Sequence, residues 1–185
     1  MELELERVTK ENFNELYALM ENDFPEAERR TKADQESLLK NKHASVNFIK
    51  VDGKIAGYFV FWDFGDFLFV EHLATKKEFR GQGLGSIFLK NFISQTNKNI
   101  LLEVELPTDE ISTKRIKFYE RLGFVLNDHD YTQPSYHGGG DELPMKVMTL
   151  KDKLSKADYE RIIRKIKSSV YDTCESNMQF EGNFK

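Results

Sequence analysis

Glycine recurs at every second position in "EFRGQGLGSIFLKNF" (78–92), at Gly81, Gly83 and Gly85, and an apolar stretch with helical spacing follows at once. Glycine loses the most backbone entropy on folding, so three in alternation need a reason. A turn between a strand and a helix start is a natural anion site. The first helical N–H groups have no internal partners, and the positive end of the helix dipole faces outward. Side chains at these three positions would obstruct an approaching phosphate. A Walker loop must end in Gly-Lys-Ser/Thr, and Ser86-Ile87 after Gly85 excludes it. A dinucleotide fingerprint needs glycine where Ser86 stands and a fold of repeated β-α-β halves, of which this chain shows one. Glu103, about 20 residues on, is all that keeps that alternative open.

Carboxylates supply the next chemistry. Glu71 lies inside "FLFVEHLAT" (67–75), where strand alternation sets it on the face of Leu73 and Thr75, with His72 on the other. A carboxylate among such neighbours is costly to bury unpaired, which favours a working group over a structural ion pair or an exposed carboxylate. Glu103 and Glu105 share one face of "ILLEVEL" (100–106) and could orient an amine or deprotonate it through water. His43, His72, His129 and His137 show no ligand spacing, and no metal is expected.

These residues need elements to hold them. "LELERV" (3–8) reads as a strand. Phe13, Leu16, Tyr17, Met20 and Phe24 then mark a helix with Thr9 as N-cap, and "KADQESLLKN" (32–41) a shorter one. "SVNFIKV" and "KIAGYFVFW" form a hairpin at Asp52-Gly53, and a turn at Gly65-Asp66 leads to strand 67–75. Leu84, Ile87, Phe88 and Phe92 line a helix, strand 100–106 follows, and Ser112 caps a helix that stops at Gly123. Strands near 124–132 and 144–150 flank "QPSYHGGGDEL". Tyr159, Ile162, Ile163, Ile166 and Val170 stripe a last helix, about 155–170. The sum is an α/β (α+β) fold with about seven strands in a mixed, mostly antiparallel sheet flanked by helices. We expect one domain over 1–171 and a loose tail over 172–185 with Phe180 docked.

Composition excludes several classes. The 185 residues are 39% hydrophobic and 31% charged, and the net charge is −4, which argues against nucleic acid as the main partner. Cys174 is the single cysteine, so no internal disulfide can form and a reducing, cytoplasmic setting is expected. The charged start "MELELERVTK" does not read as a secretory signal. The longest apolar run, Ile55–Trp62, falls far short of the roughly 20 residues that span a bilayer, so no membrane partner is expected.

"LATKKEFRGQGLGSIFL" resembles the acyl-CoA motif of the GNAT acetyltransferase superfamily, Arg/Gln-x-x-Gly-x-Gly/Ala, with Arg80, Gly83 and Gly85 in the matching places. "STKRIKFYERLGF" (112–124) is similar to that family's second hallmark, a helix ending in Phe-Tyr-x-x-x-Gly-Phe. Element order matches as well, so the resemblance covers about residues 1–150. It implies a splayed central strand pair, with the backbone of Leu73, Ala74 and Thr75 pairing with the pantetheine arm of acetyl-CoA. The N–H groups of Arg80, Gly81, Gln82, Gly83, Leu84, Gly85 and Ser86 would then cradle its pyrophosphate.

The same resemblance casts Tyr119 as proton donor to the departing thiolate, its packing role on the helix being the alternative. Glu71 takes the place where some antibiotic-modifying members carry a glutamate base. Ser112 stands where members often carry Asn, and is a cofactor contact on that ground. Arg115 stands where they carry Ala. The segment between the last two strands covers the acceptor in the family, which makes Tyr131, Gln133 and Tyr136 candidates for substrate contact, together with "NDFPEAERR" (22–30). The expected activity is acetyl transfer from acetyl-CoA to a primary amine, small molecule or peptide, by direct attack, since Cys174 in the tail is not placed to carry an acyl group. A non-catalytic acyl-CoA-binding or regulatory module is the alternative, and a homodimer through the last helix stays open.

Overall fold

The computed structural model describes residues 2–138 and 142–172. Its eight strands are β1 (Leu3–Arg7), β2 (Ala44–Val51), β3 (Lys54–Asp63), β4 (Phe67–Thr75), β5 (Asn99–Glu105), β6 (Phe124–Leu126), β7 (Tyr131–Gln133) and β8 (Leu143–Leu150). Five α-helices accompany them: α1 (Phe13–Asp23), α2 (Lys32–Ser37), α3 (Leu84–Ser94), α4 (Glu110–Glu120) and α5 (Lys156–Ile166). The strands lie in the order β1-β2-β3-β4-β5-β8-β6, with β7 also on β8. Every pairing is antiparallel except β4 with β5.

Apolar periodicity explains the layers. Phe13, Leu16, Tyr17 and Met20 of α1 and Tyr159, Ile162, Ile163 and Ile166 of α5 bury one stripe each against one face of the sheet. Phe88 and Leu89 of α3 and Ile116 of α4 pack on the opposite face with Ile100, Leu102 and Val104. The Asp52-Gly53 hairpin closes as expected, with φ of 47° and 77° at its two residues, the left-handed pair that a two-residue turn requires. Among the described residues no helix is long and apolar enough to cross a membrane.

Four local expectations change. Asn12, not Thr9, stands at the N-cap position of α1, and its carboxamide accepts from the Thr9 N–H rather than from the helix. Asp109 is the N-cap of α4; Ser112 sits at the third helical position and completes a reciprocal capping box with it. The expected strand 124–132 is two strands, because buried Asn127 interrupts it. Its carboxamide binds the Val147 carbonyl, the Thr149 hydroxyl and the Leu154 N–H, while its backbone still pairs with Val147. The last helix changes after Ile166 into a π-turn over Lys167–Tyr171. Residues 173–185 of the expected tail, with Cys174 and Phe180, lie outside the described residues, as do Gly139, Gly140 and Asp141.

Candidate active site

β4 and β5 pair only from Phe67↔Asn99 to Val70↔Leu102 and then part. Past that rung β4 runs on to Thr75 beside β3 alone, and β5 to Glu105 beside β8 alone. The edge of β4 that carries Leu73, Ala74 and Thr75 therefore faces a gap in the middle of a sheet, where backbone groups need another partner. Gly57 presses this edge into place. A Cβ there would lie 2.2 Å from the Ala74 carbonyl oxygen, so no other residue fits.

At the end of that edge the chain makes a short turn, Lys77–Phe79, and enters the glycines. Gly81 and Gly83 have φ of 76° and 74°, and Gly83 is the N-cap of α3 with no side chain to cap it. A Cβ on either would meet nothing within 4 Å, so both face open space. Gly85 differs: its backbone is ordinary, and a Cβ would rest 3.6 Å from the Phe118 ring, so its small size serves the packing of α3 on α4. The N–H groups of Leu84, Gly85 and Ser86 open the helix and point at this space. Arg80 braces the turn, its Nε donating to the Thr75 carbonyl and its Nη2 to Asp23, and Gln82 donates to the Glu78 carbonyl.

The floor of the gap overturns one expectation. β3 and β4 slip register opposite Glu71: Val60 faces His72, Phe61 faces Val70, and Glu71 is the extra residue of a β-bulge. The slip reverses the phase of everything beyond it. Glu71 and His72 both turn to the α1/α5 face and line one cleft, while Leu73 packs on the other face with α3 and α4. Glu71 does not share a face with Leu73, nor does His72 point away from it.

Glu71 is buried and fully engaged. One oxygen takes the Arg30 guanidinium and the Tyr136 hydroxyl (2.8 Å), and the other takes the Trp62 indole N–H (2.7 Å). Burial alone would raise its pKa, but the Arg30 charge and these donors hold it below the usual carboxylate value. Glu103, facing the same cleft from β5, accepts from the Tyr131 and Tyr171 hydroxyls instead. Burial raises its pKa to about 7, more than the two neutral donors lower it, and the Glu71 charge adds to the rise.

At the rim, Glu105 is 41% exposed and paired with Arg115 of α4. Glu28 also lines the cleft, its pKa raised by burial and by Glu105. Tyr119 stands four residues after Arg115, on the same side of α4, packed edge-on against Phe118 and Phe124. Its hydroxyl has no hydrogen-bond partner among the described residues, and burial lifts its pKa to about 12. The Ser112 hydroxyl is spent inside the capping box, donating to Asp109 and accepting from the Asp109 N–H.

The structure thus brings Glu71, Glu103, Glu105, Gln133 and Tyr136 to one cleft, with Tyr131 supporting it from behind Glu103. Arg30, Trp62, Tyr171, Glu28 and Gly57 were not singled out by sequence. Arg30 and Glu28 lay in a stretch read only as an acidic mouth. Tyr171 falls outside the 3.6-residue stripe because the π-turn shifts its phase.

Comparison with known proteins adds the lineage of this arrangement. The family model described as "Acetyltransferase (GNAT) family" matches residues 12–124. "Putative acetyltransferase YjbC" of Bacillus subtilis (strain 168) is 40% identical over 111 residues, 58% of this chain and 55% of that protein, so the match spans about half of that curated relative's length. A solved structure named "Putative acetyltransferase from GNAT family" from Bacteroides thetaiotaomicron superposes with a TM-score of 0.85 at 32% identity, over 91% of this chain and 98% of that one. The fold is also that of Arabidopsis thaliana Naa50 in complex with a bisubstrate analogue, CoA-Ac-MVNAL, with a TM-score of 0.58 at 19% identity over 80% of this chain and 98% of that one.

Proposed function

The chain belongs to the acetyltransferase (GNAT) family, and from that premise we propose that it moves the acetyl group of acetyl-CoA onto a primary amine by direct attack. The observation that carries this reading is the parting of β4 and β5 at Glu71 and Glu103. It leaves a backbone edge and a glycine turn on one side and an acidic cleft at its apex. The open edge over Leu73, Ala74 and Thr75 suits an amide-rich arm, bound like an added strand. The turn from Arg80 to Ser86 suits a diphosphate, since two left-handed glycines clear the approach and free amides face it.

Acetyl transfer to an amine needs a proton off the ammonium and one onto the departing thiolate. Glu103 suits the first task. Its pKa of about 7 lets it take a proton, through water, at neutral pH. Glu71, cast from the resemblance as the base, has its charge paired with the Arg30 guanidinium and a lowered pKa; its role is to hold Arg30, Trp62 and Tyr136 around the cleft. The amine nitrogen forms the new C–N bond, the C–S bond breaks, and Tyr119 stabilises and protonates the leaving sulfur. Because its pKa is raised, Tyr119 is protonated at neutral pH before the reaction and so has a proton to give. The products are the amide and free CoA.

Calorimetry with acetyl-CoA, followed by thiol release on adding amines, tests the reading. Binding of acetyl-CoA followed by amine-dependent thiol release is expected. No binding, or binding with no release for any amine, overturns it.

A further inference from the structure

The acidic cleft is selective for what it can hold, and its chemistry is one-sided. Glu28, Glu103 and Glu105 are acceptors, and Gln133 offers a carboxamide oxygen beside its N–H donors; of the nearby guanidiniums, Arg115 is already tied to Glu105 and Arg30 to Glu71. His72 adds another acceptor. It is buried, packed edge-on at 4.7 Å against Phe24, and burial lowers its pKa more than Glu71 raises it, so it is neutral. Its Nε2 lies 3.2 Å from the Glu28 carbonyl, which can only accept, so Nε2 carries the proton and Nδ1 presents a lone pair. That Nδ1 has no hydrogen-bond partner. A buried lone pair in an acceptor-lined cleft calls for a ligand rich in N–H donors. The Glu28 carboxylate likewise has no ion pair or side-chain hydrogen bond among the described residues.

Shape narrows the ligand further. The cleft holds about 70 Å³, far below the roughly 300–1,000 Å³ of an ordinary ligand pocket. One wall is a strap. His137, in the connection after β7, bonds through Nε2 to the Glu26 carbonyl at 2.8 Å, while its neighbour Tyr136 is anchored on Glu71. The connection thereby reaches across to the 26–28 turn and closes the cleft on that side. Partners also grade the three half-buried carboxylates: Glu103 is held by two phenols, Glu105 is tied to Arg115 and is 41% exposed, and Glu28 has no ion pair among the described residues.

We infer that the acceptor is a slender aliphatic amine carrying a second positive charge, its reacting nitrogen between Glu103 and His72 and its distal ammonium on Glu28. This rests on the transfer reaction proposed above, and it goes further by naming the class of substrate. A reacting amine must give up its proton, so a single charge offers the rim carboxylates nothing to keep; a second ammonium does.

The test compares 1,5-diaminopentane, 1-aminopentane and an alanine-led tripeptide, on the full chain loaded with CoA, by calorimetry at pH 7, with thiol release from acetyl-CoA measured in parallel. The diamine should bind at least 10-fold tighter than the monoamine, more tightly than the tripeptide, and with a salt-sensitive margin. Glu28→Gln should erase the margin while leaving acetyl-CoA affinity unchanged, since that carboxylate makes no ion pair or side-chain hydrogen bond among the described residues. Equal affinities, a preference for the tripeptide, or an unchanged margin in Glu28→Gln overturns the inference. Diamine preference without thiol release supports the acceptor class and overturns the reaction; thiol release with every amine alike does the reverse.

Discussion

Glu71 and Glu103 are the first residues beyond the last shared rung of β4 and β5, and their carboxyls are driven in opposite directions. Burial acts on both. The difference lies in the partners: Glu71 holds a guanidinium, whereas Glu103 holds two phenols. Two acids in one cleft with values pushed apart suit the proposed division of labour between an anchor and a proton acceptor.

The rate should follow the ionisation of Glu103. As the acceptor it works only when charged, so kcat/KM should rise with pH through about 7 and level off above. Glu103→Gln should remove that limb and lower kcat by about 10²-fold or more. A pH profile of thiol release checks both. An acid limb that persists unchanged in Glu103→Gln assigns it to another group.

Stability should carry the same signature with a sign opposite to that of most carboxylates. The folded pKa of Glu103 lies above its unfolded value, so the native state binds the extra proton and loses stability as pH rises from about 4.5 to about 7. A tenfold difference in proton affinity between the folded and unfolded chain corresponds to about 1.4 kcal/mol, which sets an upper bound of about 3.5 kcal/mol on the loss. Urea unfolding of wild type and Glu103→Gln at pH 5 and pH 8 should show the variant gaining relative to wild type at the higher pH.

Arg30 should be the most costly side chain of the cleft to remove. Its side chain and that of Glu71 are each 1% exposed, and it also donates to the Val170 carbonyl at 2.7 Å, tying the 24–31 segment to the π-turn after α5. Arg30→Met leaves the buried Glu71 carboxylate without its opposing charge, a loss of about 3–5 kcal/mol. Arg30→Met with Glu71→Gln should cost less than the sum of the two single changes, measured by urea denaturation. Strict additivity would show that the pair is not coupled.

What the sequence made legible follows from distance along the chain. The α1 stripe as far as Met20, the α5 stripe as far as Ile166 and the Asp52-Gly53 turn are local patterns and appear where spacing put them, whereas Phe24 lies just past α1 in extended backbone and Val170 in the π-turn. The motif after β4 was legible because glycines at fixed spacing have few other uses; the structure divides their reasons into backbone shape at 81 and 83 and packing at 85. The orientation of Glu71 was not legible. A bulge is a property of two strands, and nothing in "FLFVEHLAT" records that β3 skips a residue. Arg30 was hidden for the same reason, its partner lying 41 positions away. The Asp109 cap was hidden by a near tie, since Asp109 and Ser112 are both good capping residues and only the backbone decides.

Tyr119→Phe offers a clean separation of chemistry from folding. The hydroxyl bonds to no described protein group, so its removal leaves no donor or acceptor stranded, and the ring keeps its contacts with Phe118 and Phe124. Stability should stay within about 0.5 kcal/mol of wild type. Acetyl-CoA affinity should be unchanged while kcat falls by about 10²-fold. Unchanged turnover would return Tyr119 to a packing role.

Gly83 separates backbone strain from ligand binding in a similar way. Its φ of 74° places it where a side chain costs about 1–2 kcal/mol, yet a Cβ there would touch no protein atom. Gly83→Ala should therefore lower stability by about that amount and still fold. Gly83→Glu should fold comparably but set a carboxylate where the diphosphate is proposed to lie, against the free amides that open α3. Acetyl-CoA affinity should then drop at least 100-fold relative to Gly83→Ala, read by calorimetry, with the two variants matched in urea midpoint. If Gly83→Glu bound acetyl-CoA as tightly as Gly83→Ala does, the diphosphate would have to lie elsewhere than on this turn.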